Sequence, residues 1–442
     1  MRARPGEIVE NLERQDKWYR LDNSADLYPM SITRTTQSLF RLSAEMDSYV
    51  DGENLQSALV HVLPRFPTFA VQLRRGLFRY YFDSNDQDPV VFADDGILLK
   101  NIDFIKNNRY LFRVCYYKKR ISVDFFHGLC DGSAALEFLK SLVYQYLDEC
   151  GAAVPSHDGV KVVGEEIPLA EFEDSTMKYY SNYNLFGGVV GKMAGKNCFG
   201  LHGKRFKALG YGLIQGYMKA DELKVLAKKY DCTVTVLIAA LALLSIAKVF
   251  VKSDTNKDIV AAIPINLRKI FPSTTLYNFT TITKVSVNPA YTKPDLAEYV
   301  KLVKNQLAEG VGNKQELAEK MALSSFMSHN WFMQILPVGL KTFFIKFPKF
   351  ITNKTKQTLI ISNLGVVKLP VWMRRHVNRF AFNINISQKC PNNMGVVTFN
   401  GITTISFTRM LVATDFERTF FTTLIEEGVN VEVISNLREG KR

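Results

Sequence analysis

The sequence predicts an α/β (α+β) chain of two halves, each a mixed β-sheet flanked by helices. Three observations predict it. Apolar and polar residues alternate in short runs such as YLFRVCYY (110–117) and ISVDFF (121–126), which is the period of a half-buried strand. Other stretches carry apolar residues at helical spacing, as at Leu55, Leu59, Val62 and Leu63. Between the halves the pattern weakens, and glycines at 187, 188, 191, 195 and 200 punctuate it. The divisions that follow are an N-terminal half 1–165, a crossover 166–204 and a C-terminal half 205–442.

In order, Arg34 to Asp47 reads as a strand, and Asp51-Gly52-Glu53 turns into a helix that Pro64 ends. Phe69–Leu73 and Leu77–Phe82 form a hairpin around Arg75-Gly76, and Lys118-Lys119-Arg120 joins the next two strands. The loop His127–Gly132 then leads into a helix over Ser133–Leu147, with Ala135, Leu136, Leu139, Leu142, Val143 and Tyr146 on one face. The second half opens with a strand at Leu213–Met218 and a helix at Ala220–Tyr230, whose Asp221-Glu222 suit a helix N-terminus. Val234–Val251 is apolar enough to raise a membrane span. Thr235, Ser245 and Lys248 interrupt it, and it reads as a buried core helix. Strands follow at Ile259–Ile263, Thr280–Val287, Thr358–Ser362, Arg379–Ile386, Gly395–Phe399 and Thr403–Thr408, with helices at Pro294–Leu307 and Asp415–Glu427.

Composition narrows the function. With 47% hydrophobic and 22% charged residues the chain is neither disordered nor, at 26 glycines, collagen-like. The net charge is +13, but Lys and Arg are spread along the chain. No zinc finger, basic helix or aromatic-basic RNA motif accompanies them, so nucleic acid is not the expected partner and a polyphosphate ligand stays open. Six scattered Cys, with no C-x-x-C, read as free thiols of a reducing compartment. No apolar run follows the basic N-terminus, and a cytoplasmic location is expected.

One constellation carries chemistry: Phe126-His127-Gly128-Leu129-Cys130-Asp131-Gly132, between a strand and an amphipathic helix. A His at a strand end suits a general base, because its ordinary pKa lies near neutrality. An Asp four residues on can brace the loop through a charge-assisted hydrogen bond. Gly132 permits a close backbone approach. At this composition H-x-x-x-(D/E)-G is expected about 0.03 times by chance. The same residues also suit a His bonded into a turn with Asp131 as a helix cap. No third ligand stands at metal spacing, so no metal is expected.

HGLCDG with its helix resembles the H-x-x-x-D-G segment of the CoA-dependent acyltransferases of chloramphenicol-acetyltransferase-like fold, a superfamily that includes alcohol acetyltransferases and peptide-synthesis condensation domains. The likeness continues in DGENLQSALVHVLPRFPTFAVQLRRG (51–76), in Ile263-Pro264-Ile265-Asn266-Leu267-Arg268 with Tyr277-Asn278-Phe279, and in Ser362-Asn363-Leu364-Gly365. It is nearest to the alcohol acetyltransferase branch. Phe126 stands where condensation domains carry a first His, no D-F-G-W-G follows near the C-terminus, and Tyr277 replaces a common Gly.

The resemblance implies two chloramphenicol-acetyltransferase-like domains with a tunnel between them. It makes His127 the general base of acyl transfer from acyl-CoA, in the first place acetyl-CoA, to a small-molecule alcohol or amine. Asp131 becomes structural and pairs with an Arg, for which Arg268 is the candidate, while Asn278, Ser362 and Asn363 line the tunnel or stabilise the oxyanion. Two alternatives stay open: a condensation-type enzyme fed by a carrier protein, and a non-catalytic member that binds a ligand in the same cleft.

Overall fold

The computed structural model describes residues 18–20, 27–32, 37–179, 198–206, 211–250, 256–324, 334–343 and 356–436. The N-terminus through 17, the start of the strand expected at Arg34, and the glycines at 187, 188, 191 and 195 lie outside the described residues. The N-terminal half runs β1 (Trp18–Arg20), α1 (Leu27–Ser31), β2 (Leu39–Met46), α2 (Gly52–Val62), β3 (Val71–Arg75), β4 (Tyr80–Ser84), β5 (Val91–Ala93), β6 (Phe112–Tyr117), β7 (Arg120–Phe126) and α3 (Gly132–Glu149). After a single turn, α4 (Ser175–Lys178), come β8 (Gly212–Lys219), α5 (Ala220–Lys229), α6 (Val234–Phe250), β9 (Ile259–Asn266) and β10 (Thr280–Val287). The chain continues through α7 (Leu296–Gly312), α8 (Lys314–Ser324), β11 (Leu359–Val366), β12 (Val377–Asn383), β13 (Asn392–Phe399), β14 (Ile402–Arg409), α9 (Asp415–Glu426) and β15 (Glu432–Ser435).

Local chemistry sets these boundaries. Asp51 accepts hydrogen bonds from the Glu53 and Asn54 amides, both at 2.9 Å, and so starts α2. The turn from β6 to β7 is closed by Lys118, whose φ is 51°. The strands assemble into a five-stranded sheet of order β12-β2-β7-β6-β5, a seven-stranded sheet of order β10-β9-β11-β13-β14-β8-β15 and a small sheet β1-β4-β3. The two larger sheets are mixed: β5 pairs with β6, and β11 with both β9 and β13, in parallel, and every other neighbour is antiparallel.

Each large sheet has its own core. Under the five-stranded sheet, Leu42 and Ala44 of β2 pack with α2 and α3 around an aromatic cluster of Phe66, Phe69, Phe112, Phe125 and Phe138. On the alternate face of β2, Arg41 is held by Asp124 at 2.6 Å and Asp94 at 2.7 Å. Under the seven-stranded sheet lies α6, in which every residue from Val236 to Ile246 is buried. Burial on all sides is what a run apolar on every face requires, and Ser245 within it is satisfied by the Leu241 carbonyl at 2.7 Å. No single described helix is long and apolar enough to cross a membrane, and the α5–α6 pair is bent by 79°.

Several features depart from the sequence reading, among them the short β1, α1 and β5, which it did not name. β9 continues through Pro264 to Asn266 instead of ending at Ile263, because β11 pairs only with Ala261 and Ala262 and leaves the proline's missing N–H without consequence. α8 and β15 carry too little apolar periodicity to be read; β15 is an exposed edge strand of four residues. Most consequentially, β12 leaves the second half and pairs with β2, Phe382 opposite Leu42 and Phe380 opposite Ala44. The stretch 205–442 therefore completes the first sheet as well as forming the second.

The two sheets meet where β13 passes β12. A Cβ at Gly395 would lie 2.0 Å from the Phe382 carbonyl oxygen, and that backbone cannot give way without pulling β12 out of register with β2. Gly395→Ala is expected to cost about 1–3 kcal/mol or more and to lower Tm by several degrees in a thermal melt. An unchanged Tm would show that the junction is looser than this packing.

Candidate active site

β7 delivers His127 to the seam between the halves. The His127 amide donates to the Ser38 carbonyl at 2.8 Å, and the Leu129 amide closes a turn onto Phe126 at 2.8 Å. The half-buried imidazole stacks on Tyr28 with ring centroids 4.6 Å apart at 11° and meets Phe40 edge-on at 5.2 Å. Its Nδ1 lies 3.2 Å from Oδ1 of Asn278, which stands just before β10. A carbonyl oxygen only accepts, so Nδ1 carries the proton and Nε2 keeps a lone pair. Burial lowers the His127 pKa below its ordinary 6.5, outweighing the opposing pull of its own backbone, of the Asp131 charge and of Asn278. The ring is thus neutral at pH 7, the form a general base needs.

Asp131 holds this loop from both sides. Its Oδ1 accepts from the amides of Ser133 at 3.0 Å and Ala134 at 3.1 Å, capping α3. Its Oδ2 accepts from Arg268 Nη1 at 2.6 Å and from the Phe279 amide at 2.9 Å. Asp131 is therefore both the helix cap and the bracing carboxylate that the sequence left as alternatives. Arg268 in turn donates from Nε and Nη2 to the Thr275 carbonyl at 3.0 and 2.9 Å, and from Nη2 to the Tyr277 carbonyl at 2.6 Å. Asn278 follows those two carbonyls directly, so the pair that fixes the His127 loop also fixes its hydrogen-bond partner.

Further contacts tie the same segments. Asn266 Nδ2 donates to Ser133 Oγ at 2.9 Å, while Asn266 Oδ1 accepts from the Arg268 amide at 3.0 Å. At Gly132 an added Cβ would sit 2.8 Å from Leu364 Cδ2, so the Leu364 side chain of β11 packs directly over the motif. Ser362 is half-buried on β11, opposite Gly395 of β13. Asn363 faces other work: its Nδ2 donates to Thr235 Oγ1 at 3.0 Å and its Oδ1 accepts from the Gly365 amide at 2.8 Å, which shapes the end of β11. Sequence reasoning did not find Tyr28, Phe40, Asn266 or Ser133. Asn266 lies inside the segment that carries the resemblance and Ser133 adjoins Gly132, so both were within reach of it. The partnership of Tyr28 with His127 spans about a hundred residues with no local signal.

Asp131→Ala leaves Arg268 facing a site without a counter-charge and strips the cap from α3. A loss of about 3–5 kcal/mol is expected in urea unfolding, the range for breaking a buried pair. Arg268→Ala should cost a similar amount, and the double variant much less than the sum. Additive losses would show that the two side chains act separately.

No protein-family model matches the chain, and no curated protein matches it by sequence. Solved structures match it over nearly its whole length. F. graminearum TRI101 complexed with Coenzyme A and deoxynivalenol aligns with a TM-score of 0.63 at 10% identity, covering 94% of this chain and 100% of that one. The TRI3 trichothecene 15-O-acetyltransferase from Fusarium sporotrichioides aligns with a TM-score of 0.56 at 10% identity, over 92% and 94%. The first condensation domain of the calcium-dependent antibiotic synthetase aligns with a TM-score of 0.58 at 12% identity, over 94% and 99%. The chain has the two-domain fold shared by CoA-dependent acyltransferases and condensation domains.

Proposed function

We propose that this chain is an O-acyltransferase that moves an acyl group, in the first place acetyl, from acyl-CoA to a small-molecule alcohol, with His127 as general base. The observation that carries the reading is the neutral imidazole at the seam, held by Asn278 through Nδ1 so that Nε2 is the basic nitrogen. The fold, common to proteins crystallised with Coenzyme A, supports it.

Nε2 takes the proton of the acceptor hydroxyl as its oxygen attacks the thioester carbonyl. The tetrahedral oxyanion collapses, the C–S bond breaks, and the thiolate receives the proton from the imidazolium, giving ester and free CoA thiol. Hydrogen-bond donors at the developing oxyanion contribute most to such a reaction, and Ser362 is assigned that role. Asp131 and Arg268 are positioning residues that act through the loop and through Asn278. Some of the chain's excess Lys and Arg meet the phosphates of the CoA nucleotide, and no metal takes part. A condensation-type reaction on a carrier-protein thioester is the second reading, favoured by the condensation domain among the matching folds.

The test is a panel of acyl-CoA donors against pooled alcohols and amines, read as free thiol. Turnover with acyl-CoA alone is expected. His127→Ala should lower it by about 10²–10⁴-fold, the range for losing a general base. The wild-type rate should fall only as pH drops below 6.5, because the imidazole stays unprotonated down to its lowered pKa. Undiminished activity in His127→Ala would refute the role. Turnover only with carrier-bound donors would select the second reading, and saturable ligand binding without turnover would place the chain among non-catalytic members.

A further inference from the structure

The hairpin of β3 and β4 and the segment 334–343 build one surface that acyl transfer does not use. The Val338 amide donates to the Leu77 carbonyl at 2.8 Å, and Lys341 Nζ donates to the Phe78 carbonyl at 2.6 Å, so the segment is fastened to the hairpin tip. The Arg75 guanidinium lies over Gly339, with Nη2 3.7 Å from where its Cβ would be. Of the nineteen large apolar side chains exposed among the described residues, five stand here: Leu77, Phe78, Ile335, Leu340 and Phe343. Leu77, at the turn, is 69% exposed. A contiguous exposed apolar patch of this kind marks an interaction surface.

Charge says what kind. At the hairpin tip Arg74 is paired with Asp83 at 3.1 Å, while Arg75 and Arg79 flank Leu77 and Phe78. Lys341 is buried and spent on the Phe78 carbonyl, so the cations that this face presents are the arginines of the hairpin. Apolar side chains that insert between acyl chains, ringed by cations that meet phosphate, are the chemistry of an anionic lipid surface.

We propose that this face docks the protein on an anionic membrane, with Leu77 and Phe78 inserted and Arg75 and Arg79 against lipid phosphates. The proposal does not depend on the acyl-transfer reading. Docking would bring the enzyme to donors or acceptors dissolved in the bilayer.

The test is flotation of the full chain with vesicles of phosphatidylcholine alone or containing about 30% phosphatidylglycerol, at low and high salt. Binding to the anionic vesicles is expected, reduced by salt. Arg75→Gln and Arg79→Gln should each weaken it about fivefold, the effect of one cation near a charged surface. Leu77→Ser/Phe78→Ser should weaken it at least tenfold with an unchanged Tm, since both side chains are already exposed. Absence of binding at low salt would overturn the proposal, as would undiminished binding by the apolar double variant. Concentration-dependent dimers in sedimentation velocity, abolished by that variant in the absence of any vesicle binding, would assign the face to a second copy of the chain.

Discussion

One carboxylate organises the site. Asp131 is 1% exposed, so water cannot satisfy its oxygens, and the protein must supply every hydrogen bond. Two come from the first turn of α3, which belongs to the N-terminal half, and two from Arg268 and the Phe279 amide, which belong to the C-terminal half. A buried carboxylate left with half its partners is costly, so the His127 loop reaches its final geometry only when both halves are in place. Gly132 eases the same approach, since an added Cβ would make the Leu364 side chain of β11 shift. The strand exchange of β12 makes the arrangement covalent in effect: the second half cannot withdraw from the first without breaking a sheet.

How much of this was legible depended on the distance over which each residue acts. HGLCDG sits between a readable strand and a readable amphipathic helix, and its chemistry follows from residue types alone. The pairing of Arg268 with Asp131 came from resemblance, because nothing in local pattern joins positions 137 residues apart. β12 was read as a strand, yet its membership in the first sheet was not, since alternation reports which face a residue takes and not which neighbour the strand chooses. Asn363 shows the converse limit. Its motif position made it a tunnel candidate, whereas its amide is engaged by Thr235 and Gly365 and builds the strand end. Tyr28 carried no signal at all, because stacking on an imidazole is a property of the assembled fold.

The charge excess followed a similar course. Taken over the whole chain, +13 selects no partner. On the fold, Arg75 and Arg79 stand beside exposed Leu77 and Phe78, and the molecule acquires two surfaces with different chemistry. One is the junction between halves, where His127 packs on Tyr28 and Phe40 and meets Asn278. The other is apolar and cationic, suited to a lipid interface.

The central claim is that the seam holds His127 neutral, with its proton on Nδ1 and its lone pair on Nε2. Nitrogen NMR of the protein labelled in its six histidines, assigned by loss of the His127 signal in His127→Ala, measures tautomer and pKa together. The expected result is a protonated Nδ1, an unprotonated Nε2 at pH 7 and a titration midpoint below 6.5. Because the unfolded chain then takes up the proton first, the same shift makes the fold less stable as pH falls below that value. A proton on Nε2 at pH 7, or a midpoint above 6.5, would contradict the assignment of His127 as the base.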